Sequence, residues 1–449
     1  MQKSTLLSIQ KGIGMKFHKV KQINGTLSVP GDKSISHRAV MFGALAKGTS
    51  EIHNFLKGAD CLSTIQCFRQ LGIQIEEDME SQIIRIHGKG LHGLTPSSTI
   101  LDVGNSGTTL RLISGILSGQ PFESNLTGDS SIQKRPMNRV ITPLSLMNAD
   151  IKSVLGNGCA PLCIKEATRN GIKSTLKGIH YNSPIASAQV KSSIILAGLY
   201  AEGETSVTEP NVSRNHTELM LSEFGANLTV NSKTVTVQPE PRLMAQKVHV
   251  PGDISSAAYF LAAACILPNS ELLIHNVGVN PTRDGIIDVL LAMGADITKE
   301  DLRNQEGEAV CNLRVRSSNL HGITIEGSLI PRLIDEIPVI AVVACLAEGD
   351  TIIKDAAELK VKESNRIDVM VRQLNSMGAD ITATADGMII HGGQSLTGTV
   401  IHSKEDHRIA MSFAIAGLIA EGETTIQGAE CVNISYPEFY QDLHRLTCS

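Results

Sequence analysis

Residues 29–40 read VPGDKSISHRAV, and their first four return as Val250–Asp253. Between and after these two copies a second pattern recurs: an apolar helical run, a small residue, then Gly or Asn before a β-rich segment. It reads LAKGTSEIHN, LSGQPFESNL, YAEGETSVTE, LPNSELLIHN, LAEGDTIIKD and IAEGETTIQG, with turn residues Gly48, Gly119, Gly203, Asn269, Gly349 and Gly422. A second stop follows in the first five repeats, at Gly72, Asn148, Gly225, Gly294 and Gly378. Gly or Asn after a helical run is a stop because the left-handed conformation is cheap there. The alternation that follows, as in ADITAT, reads as a strand. Three repeats fall between the VPGD copies and three after the second. The pattern predicts an α/β chain of two pseudo-symmetric halves, each of three repeated helix–strand units.

The bulk properties agree with an ordinary soluble core-forming chain. At 449 residues two domains are expected, and 42% of residues are apolar. A net charge of −5, 3% aromatics and no Trp argue against nucleic acid as a partner. Nine scattered cysteines contain no CxxC pair, and the closest spacing, Cys159 and Cys163, lacks a second pair or His set for zinc. The N-terminal stretch has no secretory core, and no run of about 20 apolar residues could span a membrane. The chain reads as cytoplasmic, with no membrane partner.

Cationic chemistry in this acidic chain is local and gathers at helix starts. GDKSISHR sets Lys33, Ser34 and Arg38 where orphan N–H groups and the helix dipole attract an anion, although Asp32 could cap a plain solvated turn. GNSGTTLR repeats the design with Asn105, Gly107 and Thr108, and Arg111 one turn in. SSIQKRPMNR carries Lys134, Arg135 and Arg139 near Pro136, a charge run that more often reads as solvated surface. SPIASAQVKS and EPNVSRNHTELM place Ser187, Gln189, Ser213 and Arg214 before helices, where capping is the ordinary account. Asp335 and Glu336 interrupt the apolar LIDEIPVIAVV, either as caps or as a general base. ELKVKESNRI spaces Lys362, Glu363 and Arg366 as an exposed ion-paired helix face would. DHRIAM sets Arg408 behind an acidic cap.

In their order along the chain, PGDKSISHR, GNSGTTLR, KRPM, SAQVKS, RLIDEIP, ELKVKESNRI and DHRIAM resemble the 3-phosphoshikimate 1-carboxyvinyltransferase (EPSP synthase) family, from about Lys21 to the C-terminus. The resemblance implies two inside-out α/β domains, residues 1–31 with 252–449 and residues 32–251, and an active site in the cleft between them. It implies transfer of the enolpyruvyl group of phosphoenolpyruvate to shikimate 3-phosphate, by a monomer with no cofactor or metal and with small anionic substrates as its partners. Carried over by motif, Lys33, Ser34, Arg38, Ser187, Gln189, Ser213, Arg214, Asp335 and Lys362 should hold shikimate 3-phosphate. Lys33, Asn105, Gly107, Thr108, Arg135, Gln189, Arg366 and Arg408 should hold phosphoenolpyruvate. Asp335 is the expected base and Glu363 the expected acid, with Lys33 shared between both events. The sequence departs from some members in carrying Ile434 and Ser435, not a lysine, near its C-terminus. The sister UDP-N-acetylglucosamine enolpyruvyl transferases typically have Lys-Asn where this chain has Lys33-Ser34, and a loop cysteine that is absent between Cys67 and Cys159.

Overall fold

A computed structural model describes residues 14–78, 80–166, 168–169, 172–173 and 176–448. The chain divides into two units. The first comprises Met1–Val29, Gly252–Arg303 and Val310–Ser449; the second comprises Pro30–Pro251 and Asn304–Ala309.

Each repeat turn leads into a strand that sits inside its own small sheet, and Gly48 already lies within its strand. These strands are Lys47–His53, Ser124–Thr127, Thr205–Thr208, Glu271–Gly278, Asp350–Ile353 and Glu423–Gln427. In five four-stranded sheets this strand pairs in parallel with one neighbour and antiparallel with the other. The sixth sheet has three strands: Val400–His402 runs parallel to Glu423–Gln427, and Met15–His18 pairs antiparallel on the other side. The last repeat has no second stop in the sequence, and the N-terminal strand completes its sheet.

The stops behave as expected with one exception. Gly48, Gly203, Asn269, Gly349, Gly422 and all five second stops have positive φ. Gly119 does not; it caps its helix at φ −93°. Space, not backbone freedom, requires glycine there, because a Cβ would lie 2.3 Å from the ring of Tyr200.

Three helices in each unit are buried almost all round, which is the mark of an interior helix. In the second unit these are Lys33–Leu45, Gly107–Ser118 and Ala188–Gly198. In the first they are Ile254–Ile266, Ile337–Leu346 and His407–Gly417. Close approach is built in: a Cβ on Gly115 would sit 2.1 Å from the Ser193 carbonyl. The arrangement is inside-out in the literal sense, with apolar helices at the centre and sheets around them. A helix buried on its sides has its polar business at its ends, and Lys33, Ser34, Gly107, Thr108, Ser187, Gln189 and Arg408 lie at such starts.

The VPGD copies have a packing reason. A Cβ on Gly31 would meet the Asn54 carbonyl oxygen at 2.0 Å, and one on Gly252 would meet that of Asn276 at 3.1 Å. Asn54 follows the strand of the first repeat and Asn276 sits at the irregularity within the strand of the fourth, both with φ of 55°. Asp32 and Asp253 then accept from backbone N–H groups of the helices that follow.

The division differs from the sequence expectation in one substantive place. Residues 304–309, expected in the first domain, belong with the second unit. They turn between the strands Asp296–Gln305 and Glu308–Arg316, and buried Glu308 Oε1 lies 2.6 Å from His216 Nδ1. Pro30 and Gly31 also fall in the second unit. No helix among the described residues is long and apolar enough to cross a membrane.

Candidate active site

In the second unit the helix starts bring two groups of candidates together. The first surrounds Gly107. Ser106 caps the helix through the Thr109 N–H, so Gly107 and Thr108 present its first turn. Gln189, from the start of another interior helix, donates to Thr108 Oγ1 at 3.0 Å and accepts from Arg111 Nη1 at 2.5 Å. Arg135 Nη2 donates to Asn105 Oδ1 at 2.9 Å. A Cβ on Gly107 would be 3.0 Å from Arg111 Nη1 and 3.1 Å from Arg135 Nη1. Two guanidinium groups therefore flank a glycine-bearing helix start, an arrangement suited to a carboxylate or phosphate. Arg135 is buried, unlike Lys134, so the KRPM run is no uniform solvated surface. The sequence places Arg111 one turn into this helix but assigns it no substrate, and only helix packing brings it to Gln189.

The second group surrounds the start of Lys33–Leu45. Lys33 Nζ lies 3.0 Å from Asp60 Oδ2. Arg38 is buried; its Nε donates to Thr217 Oγ1 at 2.7 Å, Nη2 to Ser192 Oγ at 3.0 Å, and Nη1 to the Ser34 carbonyl at 3.0 Å. Burial pushes its guanidinium down to about 10, against the pull of Glu218 and Asp32. Arg38 thus serves as a fixed local charge, tied to neutral partners. Nearby, Ser187 caps Ala188–Gly198, and Ser213 precedes the helix His216–Glu223. Both serines bond to buried Glu209. Arg214 is half-buried beside them in sequence.

His37 lies between Lys33 and Arg38, with Nδ1 2.7 Å from Thr64 Oγ1. Burial first, then the charges of Lys33 and Arg38, hold its pKa well below 6.5. Below pH 6.5 the unfolded chain takes a proton that the folded chain refuses, so stability falls as pH falls. Until the folded group itself titrates, His37 contributes about 1.4 kcal/mol of loss per pH unit. Melting temperatures of the natural chain and His37→Asn, measured from pH 7 to 5, should converge as pH drops. Parallel curves would show that His37 is not the group responsible.

In the first unit one guanidinium organises the site. Arg366 opens the helix Arg366–Ser376 and is 1% exposed. Nε and Nη2 reach the Asp406 carboxylate at 2.9 and 3.2 Å, Nη1 reaches Asp335 Oδ1 at 3.1 Å, and Nη2 reaches Glu363 Oε2 at 2.6 Å. Lys362 Nζ stands 3.4 Å from Asp335 Oδ1. Burial works against the charge on Arg366, but Asp406, Glu363 and Asp335 outweigh it and raise the pKa. The expectation of an exposed helix face here is wrong. The Glu363–Arg366 pair is real, but Lys362 precedes the helix and the arginine is interior.

Arg408, one residue inside His407–Gly417, is also buried and donates from Nη1 to the Ser255 carbonyl at 3.3 Å. Its pKa is likewise raised despite burial, by Tyr259, Asp335, Glu336 and Asp253. Asp406 caps the same helix and also accepts from Ser364 Oγ. Its sequence signal, an acid directly before His-Arg, reads as a cap alone and conceals the bond to Arg366. Ile434 and Ser435 fall at the end of the short helix Ala429–Ile434, with Ser435 buried. No group of three His, Cys, Asp or Glu side chains placed to hold a metal occurs among the described residues.

Residues 17–443 match the family of EPSP synthase (3-phosphoshikimate 1-carboxyvinyltransferase). A 3-phosphoshikimate 1-carboxyvinyltransferase of Thermoanaerobacter sp. (strain X514) is 58% identical over 428 residues, covering 95% of this chain and 99% of its own. One from Bacillus thuringiensis (strain Al Hakam) is 55% identical over 425 residues, covering 95% and 97%. A solved EPSP synthase from Acinetobacter baumannii superposes with a TM-score of 0.84 at 45% identity, covering 96% of this chain and 97% of that one.

Proposed function

The chain belongs to the EPSP synthase family, and from that premise we propose how its residues move the enolpyruvyl group of phosphoenolpyruvate to the 5-hydroxyl of shikimate 3-phosphate. In the second unit, Ser187, Ser213 and Arg214 take the phosphate of shikimate 3-phosphate, with Ser34 and Gln189 as further donors and Arg38 as the buried charge behind them. Gly107 and Arg135, with Asn105 and Thr108 in the same loop and Gln189 alongside, take phosphoenolpyruvate. Lys33 serves both substrates. In the first unit, Arg366 and Arg408 take phosphoenolpyruvate, and Lys362 and Asp335 address shikimate 3-phosphate.

The chemistry assigns the carboxylates. The 5-hydroxyl oxygen attacks C2 of phosphoenolpyruvate and its proton passes to Asp335, while C3 gains a proton from Glu363. The resulting tetrahedral adduct loses phosphate by breaking its C2–O bond to the phosphate oxygen; C3 returns its proton to Glu363, and the departing phosphate takes the proton held on Asp335. Positioned general acids and bases typically contribute about 10²- to 10⁴-fold each. The observation that carries this reading is the single Arg366 guanidinium bonded to Asp335, Glu363 and Asp406. It fixes both proton-transfer groups about one cation, although 28 residues separate them in sequence.

Glu363→Gln tests the assignment, because it keeps the side chain's shape and removes its transferable proton. Both substrates should still bind, and phosphate release should fall by roughly 10²- to 10⁴-fold. Retained turnover would remove Glu363 from the proton path. Gly107→Ala tests the neighbouring assignment: the new Cβ crowds Arg111 and Arg135, so KM for phosphoenolpyruvate should rise while KM for shikimate 3-phosphate holds. An unchanged KM for phosphoenolpyruvate would place that substrate elsewhere. We also propose a cytoplasmic monomer. Nine cysteines with no disulfide suit a reducing compartment, and sedimentation at micromolar concentration tests the monomer.

A further inference from the structure

Three buried ionisable side chains in the second unit have no part in the scheme above: Lys191, Glu209 and Glu218 are each at most 3% exposed. Lys191 Nζ stands 2.9 Å from Glu209 Oε2 and 2.7 Å from Glu218 Oε1. Buried ion groups rarely add net stability over apolar packing, so their arrangement calls for another reason.

Glu209 lies at the end of the strand Thr205–Thr208, anchored by its own N–H to the Lys233 carbonyl. Its Oε1 accepts from the Ser187 N–H at 3.0 Å and from Ser213 Oγ at 2.6 Å. Its Oε2 accepts from the Ser213 N–H at 3.2 Å. One carboxylate therefore ties together two segments 26 residues apart in sequence, each carrying a serine assigned to the substrate phosphate. We propose that Glu209, neutralised by Lys191, is the positioning residue for the phosphate of shikimate 3-phosphate. This rests on the assignment of Ser187 and Ser213 made above.

A carboxylate beside a phosphate site looks self-defeating, and Lys191 resolves this. Its ammonium cancels the local charge from between the two carboxylates and donates to the Ser213 carbonyl at 3.4 Å, and Arg38 adds a second buried cation attracted to Glu218. When a phosphate arrives, the Ser213 hydroxyl can turn from Glu209 toward it. Glu209 still holds both backbone N–H groups and Lys191, so the carboxylate is not orphaned and the segments stay in place. A glutamine cannot do this. If its amide nitrogen occupies the Oε2 position, it faces two donors, the Ser213 N–H and Lys191. If it occupies the Oε1 position, it faces the Ser187 N–H. In either orientation a buried donor loses its acceptor and a segment must move.

The test is steady-state kinetics of the full chain with Glu209→Gln, Ser213→Ala and the double variant, beside melting curves. Glu209→Gln should raise KM for shikimate 3-phosphate by about tenfold, the scale of one charge-assisted hydrogen bond. Its kcat and KM for phosphoenolpyruvate should stay within about twofold, since only one substrate's contacts change. The double variant should lose less than the product of the singles, because Glu209 acts through Ser213. If Ser213→Ala raises that KM and Glu209→Gln does not, the inference is overturned while the serine assignment stands. If neither raises it, the assignment fails and the inference with it. Equal damage to both substrates' KM and to kcat would mark a structural role and also overturn it. Should Glu209→Gln not fold, Glu209→Asp carries the same expectation, since its carboxylate is one methylene short of both segments; an unchanged KM there contradicts the proposal.

Discussion

Asp335→Asn should lower kcat by roughly 10²- to 10⁴-fold, the range for losing one positioned general base. The substitution keeps the side chain's size and its ability to accept from Arg366 Nη1 and Lys362, which lie 3.1 and 3.4 Å from Oδ1. Arg366 retains Asp406 and Glu363, so the cluster stays charge-compensated and the fold should be nearly unaffected. The amide cannot take the proton of the attacking hydroxyl. Affinity for shikimate 3-phosphate, measured without the second substrate, should therefore change little beside the loss in kcat. Unchanged turnover would remove Asp335 from the mechanism. An equal loss in binding would make it a substrate ligand only.

The second large effect is expected at Arg366. Replacement by Ala strips the shared cation from three carboxylates, one of them, Asp406, fully buried. Removing one partner of a buried ionic cluster typically costs about 3–5 kcal/mol, because the remaining charges lose their compensation. Arg366→Ala should thus lower the melting temperature markedly and raise KM for phosphoenolpyruvate as well. Arg135→Ala gives the contrast. Its guanidinium bonds to the neutral acceptors Asn105 and Ser131, so the same KM should rise with a smaller thermal penalty. Equal melting temperatures for the two variants would contradict the view that Arg366 holds the acid cluster together. An unaltered KM in Arg366→Ala would sink its assignment to phosphoenolpyruvate.

What the sequence revealed and what it hid follow one division. Repeats and stops are local, so the six repeated units were legible from Gly, Asn and alternation. Gly119 breaks the rule because its glycine answers to Tyr200, a neighbour 81 residues away that no local pattern reports. Helix starts were also legible, since capping residues and cations sit within a few positions of one another. Their partners were not. Arg111 joins Gln189 only where two interior helices pack, and Asp406 joins Arg366 across 40 residues. The ELKVKESNRI motif shows the limit most clearly. Its spacing fits an exposed i,i+3 pair, and that pair forms, yet the same guanidinium is interior and serves two more acids from elsewhere in the chain. Glu209 carried no signal at all, because an acid after a strand reads as surface until its burial is known, and Lys191 stands alongside Ser187 and Gln189 in sequence with nothing to show its two acid partners.

The account's central claim is the reaction itself, and phosphate release tests it most directly. The purified chain is given phosphoenolpyruvate with shikimate 3-phosphate, and separately phosphoenolpyruvate with UDP-N-acetylglucosamine. Phosphate should appear only with shikimate 3-phosphate, and should fall away in Asp335→Asn and Glu363→Gln. Release only with the nucleotide sugar, or from neither mixture by folded protein, would contradict it.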